Sequence, residues 1–166
     1  MAEADQIAFI IADLEAYTRD EIIALALNVN ANLRDAPPRG TPIDTGWASA
    51  NWVPSVGREF DDPGITLVRD PSPAQVGARA RLAEAGTNEL LSWRQGDGSL
   101  FSTNNVPYIR PLNDGHSMQS PAGFVQAAME LAIRQTAARA QQQGNRRRRA
   151  AAYRARTGKP PMGPRR

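Results

Sequence analysis

Few side chains in this sequence could carry chemistry, and their spacing limits what they can do. His116 is the only histidine and sits in Asn113-Asp114-Gly115-His116-Ser117. As a general base it would need a nucleophile to activate and an acid to orient it within hydrogen-bond reach. Ser117 and Asp114 supply the residue types but no known spacing signature. The competing reading makes His116 and Ser117 turn residues that satisfy backbone groups ahead of the last helix. Cysteine is absent, which excludes a disulfide framework, a thiolate metal site and a cysteine nucleophile. A single histidine leaves only carboxylates as metal ligands, and no Asp-x-Asp-x-Asp-Gly calcium loop occurs. Neither G-x-x-x-x-G-K-[ST] nor G-x-G-x-x-G is present, and Gly158-Lys159 runs into Pro160. No metal or cofactor is therefore expected.

The remaining candidates are basic. Arg146, Arg147, Arg148, Arg149, Arg154, Arg156, Lys159, Arg165 and Arg166 crowd the end of the sequence, with Tyr153 among them. Three readings stay open. The cluster could release counterions from nucleic-acid phosphates while Tyr153 stacks on a base, it could dock on the acidic surface of a neighbouring protein, or it could be an idle solvated tail.

Composition divides the chain at the same place. Of 166 residues, 20 are basic and 17 acidic, for a net charge of +3. Residues 1–133 hold every acid and nine arginines, net −8, whereas residues 134–166 hold ten arginines and Lys159 without an acid, net +11. All 31 Leu, Ile, Val and Phe residues precede residue 134, so a core can form only there. The expectation is one α+β domain over residues 1–144 and a flexible arginine-rich extension over 145–166, whose arginine-alanine portion could be helical but whose last ten residues cannot pack a core. A core this lean makes association with other subunits a plausible further source of stability. The acidic start and the lack of about 18 consecutive apolar residues predict a soluble protein without a secretory signal or spanning helix. No repeat of 20 to 50 residues is visible.

Periodicity then predicts the elements that hold these residues. Ile7, Ile11, Leu14, Ile22, Leu25, Val29 and Leu33 recur at helical steps, predicting a long helix from Asp5 to near Asp35, where Pro37-Pro38 forbids continuation. Phe9, Ile10, Ile23 and Leu27 widen its apolar stripe, so part of it could meet a neighbour. Trp47–Val53 alternates and reads as a strand stopped by Pro54, and Ile65–Arg69 reads as a second strand paired antiparallel with it. Ser72 and Pro73 open a helix through about Ala85, with Val76, Ala80 and Ala83 or Leu82 inward and Gly86 as its stop. Leu90–Trp93 and Ser99–Thr103 read as a hairpin around Gln95-Gly96-Asp97-Gly98. Val106–Leu112 reads as an extended edge piece. Ser120 and Pro121 open a last helix whose inner stripe is Val125, Ala128, Met129, Ala132, Ile133 and Thr136, ending near Gly144.

Two segments stand out between these elements. Thr41-Pro42-Ile43-Asp44-Thr45-Gly46 is a tight corner, with a proline-fixed torsion, an Asp able to fold onto backbone N–H groups and a glycine that tolerates positive φ. Trp52 closes the segment after it. About sixty residues on come Asn105-Val106-Pro107-Tyr108 through Leu112, then Gly115-His116-Ser117, Gln119 and Pro121-Ala122-Gly123-Phe124-Val125. In this order, between a helix before and a helix after, the pair resembles the small tail-completion, or head-tail joining, proteins of long-tailed bacteriophages. The resemblance spans about residues 5–140 and leaves the basic end uncovered. Trp47 stands where the family usually has arginine, and Asn113-Asp114 replaces a typical glutamate-aromatic pair, so no contact through that glutamate carries over.

The resemblance implies a small antiparallel sheet carrying a long N-terminal and a C-terminal helix. It also implies a subunit that assembles in the host cytoplasm into a ring, of six copies, at the head-proximal end of the phage tail. Such a ring would join the tail tube or tail terminator to the neck and connector, surround the DNA passage and act through shape, not as an enzyme. Trp47, Trp52, Tyr108 and the turns at Gly46 and Gly115 are expected to shape the sheet. Thr41, Pro42, Asp44, Thr45, Pro107, His116, Ser117, Pro121 and Gly123 complete the motif positions. Two other classes remain: a small nucleic-acid-binding accessory protein that uses the arginine-rich end, and a hydrolase built on His116.

Overall fold

A computed structural model describes residues 3–62, 68 and 70–158. The chain runs α1 (Glu3–Leu33), α2 (Trp47–Ala50), β1 (Val53–Val56), α3 (Pro73–Ser92), β2 (Leu100–Thr103), α4 (Ile109–Asn113) and α5 (Phe124–Thr157). The architecture is mostly helical α+β with one two-stranded antiparallel sheet. No helix among the described residues is long and apolar enough to cross a membrane.

Helix α1 is the long helix that the apolar spacing predicts. Its last carbonyl, on Leu33, accepts from both the backbone N–H of Thr41 at 3.1 Å and the Thr41 hydroxyl at 2.6 Å, so the chain folds straight back over the helix end. The core forms where that return meets the start of α5. Leu33, Trp52, Phe124 and Ala128 make its centre, flanked by Val29, Ile109, Leu112 and Val125.

The predicted strand Trp47–Val53 is instead the short helix α2 followed by the start of β1. Trp47, Ala48, Ala50, Asn51, Trp52 and Val53 are all buried, so the alternation that suggested a strand separates no solvent face from a core face. Gly46, at φ 77°, opens the turn; the Ala50 N–H donates to its carbonyl at 3.0 Å, and the Asn51 side-chain amide donates to Trp47 O at 2.7 Å. Pro54 does not stop a ladder but sits inside β1, which pairs with β2 in the register Val53↔Thr103 to Val56↔Leu100. The expected partner strand Ile65–Arg69 lies outside the described residues except Val68, which is in no strand. Trp47 and Trp52 are buried at this corner, with Trp52 in the core and sharing a cleft with Leu100, Phe101 and Ser102 of β2.

Ser72 caps α3 as expected: its hydroxyl accepts from the Gln75 N–H while the Gln75 side chain accepts from the Ser72 N–H. The helix does not stop at Gly86; it runs on to Ser92. Gly86 is needed for a different reason, since a Cβ there would collide with the carbonyl oxygen of Pro54 where α3 crosses β1. Ala83, Gly86 and Leu90 are its buried positions, whereas Leu82 is exposed and Val76 and Ala80 only half-buried. Leu90–Ser92 thus ends a helix and is not a hairpin strand. The Gln95–Gly98 turn does form, closed by Asp97 N–H to Arg94 O at 3.0 Å and Arg94 N–H to the Asp97 carboxylate at 2.7 Å, but it joins α3 to β2.

Residues 106–112 are not extended either. The Asn104 side chain accepts from the Val106 N–H at 3.1 Å, the Ile109 N–H donates to Val106 O at 3.0 Å, and α4 follows. Pro111 falls in its first turn, where no backbone donor is required. Helix α5 begins at Phe124, later than the Ser120 start expected, because Asn113 caps it from outside. The Asn113 backbone carbonyl accepts from Gly123 N–H at 2.7 Å and its side chain from Val125 N–H at 3.0 Å. Ser120 donates instead to Gly40 O at 2.8 Å. At the other end α5 passes through Gly144, the expected stop, to Thr157, and closes on Gly158 at φ 65° with its N–H on Arg154 O at 2.8 Å. One glycine costs a helix only about 1 kcal/mol, and the alanines and arginines that follow are good helix formers. Residues 145–157 thus continue α5, and residues 159–166 lie outside the described residues.

Helices α1 and α5 pack antiparallel. Asn28 donates to the Thr136 hydroxyl at 3.0 Å, Asn32 to Ala128 O and the Gln135 side chain at 3.1 Å each, and further out the Arg147 guanidinium lies 5.8 Å from the Tyr17 ring centroid. Among the residues whose burial is described, the first buried one of α1 is Ile23 and the last of α5 is Ala132, so the tip of this arm is open.

Candidate functional site

The two sequence segments that stand sixty residues apart meet at one corner. The hub is Thr41, which is fully buried. Its hydroxyl donates to Leu33 O and accepts the Trp52 indole N–H at 2.7 Å, tying the end of α1 to the core. Gln119 bridges the segments, since its side-chain oxygen accepts from the Ile43 N–H at 2.7 Å. Ser120 adds the bond to Gly40 O, and the Asn104 side chain donates to Ala48 O at 2.8 Å.

Between the segments lies an open cleft of about 390 Å³ lined by Pro42, Asp44, Thr45, Gly46, Trp47, Ala48, Val68, Tyr108, Leu112, His116, Ser117 and Gln119. Asp44 is its one acid, and no lysine or arginine lines it among the described residues. Burial first, and the Asp44 carboxylate second, raise the Tyr108 phenol above its ordinary 10.0, so the hydroxyl remains a protonated donor across the neutral range. Trp47 forms a wall. Its indole N–H is buried and finds no acceptor among the described residues, and its ring carries the Arg79 guanidinium 5.5 Å from the centroid, with Arg79 paired to Asp62.

Nine residues of the two segments named from sequence line this cleft: Pro42, Asp44, Thr45, Gly46, Tyr108, Leu112, His116, Ser117 and Gln119. Thr41 and Trp52 lie beneath it in the core, whereas Pro107, Gly115, Pro121 and Gly123 shape the turns around it. Gly115 and Gly123 hold positive φ of 94° and 79°. Sequence reasoning missed Trp47 as a lining residue and Asn113 as the cap of α5. No local signal marks Asn113 for that role, since it ends α4 and stands eleven positions before the first residue of α5.

His116 is exposed, with Nδ1 3.0 Å from Pro111 O, and the Ser117 hydroxyl accepts from the Gln119 N–H at 3.1 Å. Each therefore serves backbone groups of the turn, not the other. No group of three His, Asp or Glu residues among those described could hold a metal ion.

The basic cluster is far from this corner. Arg146, Arg147, Arg148, Arg149, Arg154 and Arg156 are all exposed on the distal half of α5, and Lys159, Arg165 and Arg166 lie outside the described residues. A second, apolar cleft of about 320 Å³ opens between α1, α5 and β2, walled by Ile22, Leu25, Val29, Phe101 and Met129 over Trp52. Ile7, Ile11 and Leu14 extend its α1 wall toward the tip and are each at least half exposed. Comparison with protein-family models, curated proteins and solved structures finds no match to this chain.

Proposed function

We propose that this chain is a structural subunit of the head-tail joint of a tailed bacteriophage, a tail-completion protein that works as part of a ring between neck and tail tube. The observation that carries the reading is the convergence at the corner. The two segments that resemble that family hold each other through Gln119 and Ile43, through Ser120 and Gly40, and through Trp52 packed in one core cluster with Phe124.

Two further features support a part that completes itself on assembly. Ile7, Ile11, Leu14 and Ile22 share one side of α1 by helical spacing and are exposed, as are Met129 and Ile133 on α5, and clustered exposed apolar side chains mark interaction surfaces. The arm also separates charge, with acids concentrated on α1 and arginines on distal α5, an arrangement that favours docking between identical copies in a fixed sense. The reaction-free reading assigns His116 no catalytic role, so His116→Ala should leave particle assembly and infectivity unchanged.

The test is deletion of the gene in the phage that encodes the chain. The expected phenotype is full heads and finished tails that fail to join, restored by supplying the chain in trans; normal particles from the deletion would refute the proposal. The exposed arginines of distal α5 favour one alternative, a nucleic-acid-binding accessory protein. That reading requires a salt-dependent DNA mobility shift that disappears when the chain is truncated at Gln143.

A further inference from the structure

The corner cleft has the chemistry of a receptor for a basic, proline-rich peptide, and the chain itself contains one. Tyr108 and Trp47 give aromatic walls, Asp44 is the sole acid, and no cationic side chain among the described residues competes for it. A ligand that satisfies both would bring flat apolar rings and a cation. Residues 158–166 read Gly-Lys-Pro-Pro-Met-Gly-Pro-Arg-Arg. Pro161 and Pro164 are three apart, the period that places two rings on one edge of a polyproline helix. Arg165 and Arg166 follow directly.

Reach decides which copy supplies the peptide. The cleft lies at the start of α5, where Ser117 and Gln119 lead into it, whereas the segment leaves from its far end. At about 1.5 Å per residue the 34 residues of α5 separate the two by about 50 Å. Fully extended, the seven steps from Gly158 to Arg165 span about 25 Å. The segment falls far short of its own cleft.

We infer that residues 159–166 of one copy dock in the Asp44–Tyr108–Trp47 cleft of a second copy. Such a contact is head-to-tail, joining two different surfaces, so it propagates around a closed ring or along an open chain of subunits. The inference rests on the assembly reading only in taking the partner to be another copy.

The experiment titrates a synthetic peptide of residues 158–166 into isotope-labelled full-length chain carrying Arg165→Glu and Arg166→Glu, so that the chain's own segment does not compete. The readout is the Trp47 indole N–H resonance. Saturable movement of that resonance is expected, with affinity weakened about tenfold by Asp44→Asn and lost with a peptide of scrambled order. Equal binding of the scrambled peptide, or a still resonance up to about 1 mM peptide, would overturn the inference. Sedimentation of the full-length chain then tests the occupant. Arg165→Glu with Arg166→Glu should lower the average mass relative to the unaltered chain, and an unchanged mass would exclude docking in trans. Either negative result leaves the deletion phenotype free to succeed, so the two proposals fail separately.

Discussion

The corner around Thr41 and the arm of α1 against α5 solve opposite problems. At the corner, short elements are held by side chains bonded to distant backbone: Gln119 to Ile43, Ser120 to Gly40, Asn104 to Ala48. Its shape is complete in the isolated chain. In the arm two long helices touch through Asn28, Asn32 and Tyr17, bury none of the described residues toward the tip and leave isoleucines and a phenylalanine in water. The difference teaches where stability and assembly reside. Substitutions at the corner should destabilise the chain, whereas substitutions of the exposed apolar side chains on the arm should mainly change what the chain sticks to.

Phe124 anchors the corner side of that contrast, being fully buried beside Leu33 and Trp52. Phe124→Ala should destabilise the chain by about 3–5 kcal/mol in urea unfolding, the largest effect expected. Thr41→Val keeps the shape but removes one hydroxyl that serves two buried partners, Leu33 O and the Trp52 indole. A loss of about 2–3 kcal/mol is expected, together with a changed Trp52 indole resonance. For Asn113→Ala the loss should be about 1 kcal/mol, because only the cap of α5 is removed, and thermal unfolding will show it.

The arm should answer in the other direction. Gly144 has open space where a Cβ would go, so Gly144→Ala should raise helical content and stability by roughly 0.5–1 kcal/mol. Leu14→Ser, on a side chain 62% exposed, should shift unfolding by no more than about 0.5 kcal/mol while lowering self-association in sedimentation. If Leu14→Ser cost as much as Thr41→Val, the division between a finished corner and an unfinished arm would not stand.

Where a single local signal governed the outcome, the fold was readable. The apolar spacing of α1, the Ser72–Gln75 capping box and the Asp-Gly turn before β2 each act over a few residues, and each is found in place. Trp47–Val53 misled because both of its faces are buried, which erases the meaning of alternation. Around Pro107 and Pro111 the prolines suggested an edge strand, but the decisive bond was the Asn104 side chain on the Val106 N–H. Gly86 and Gly144 were read as stops, although one is a close approach to Pro54 and the other a tolerated gap in a helix. At the corner the participating segments were legible as a pair, through Thr41, Asp44, Tyr108 and His116. Their partners were not, because bonds such as Gln119 to Ile43 join residues 76 apart, and a local pattern carries no trace of them.

The central claim is that this chain acts by shape in a ring at the junction of head and tail. A reconstruction of particles assembled with this chain, at a resolution that traces α1 and α5, tests it most directly. The account predicts a closed ring at the neck in which each corner cleft meets a neighbouring subunit. Finished, infectious particles with no copy of the chain anywhere along the tail axis would contradict it.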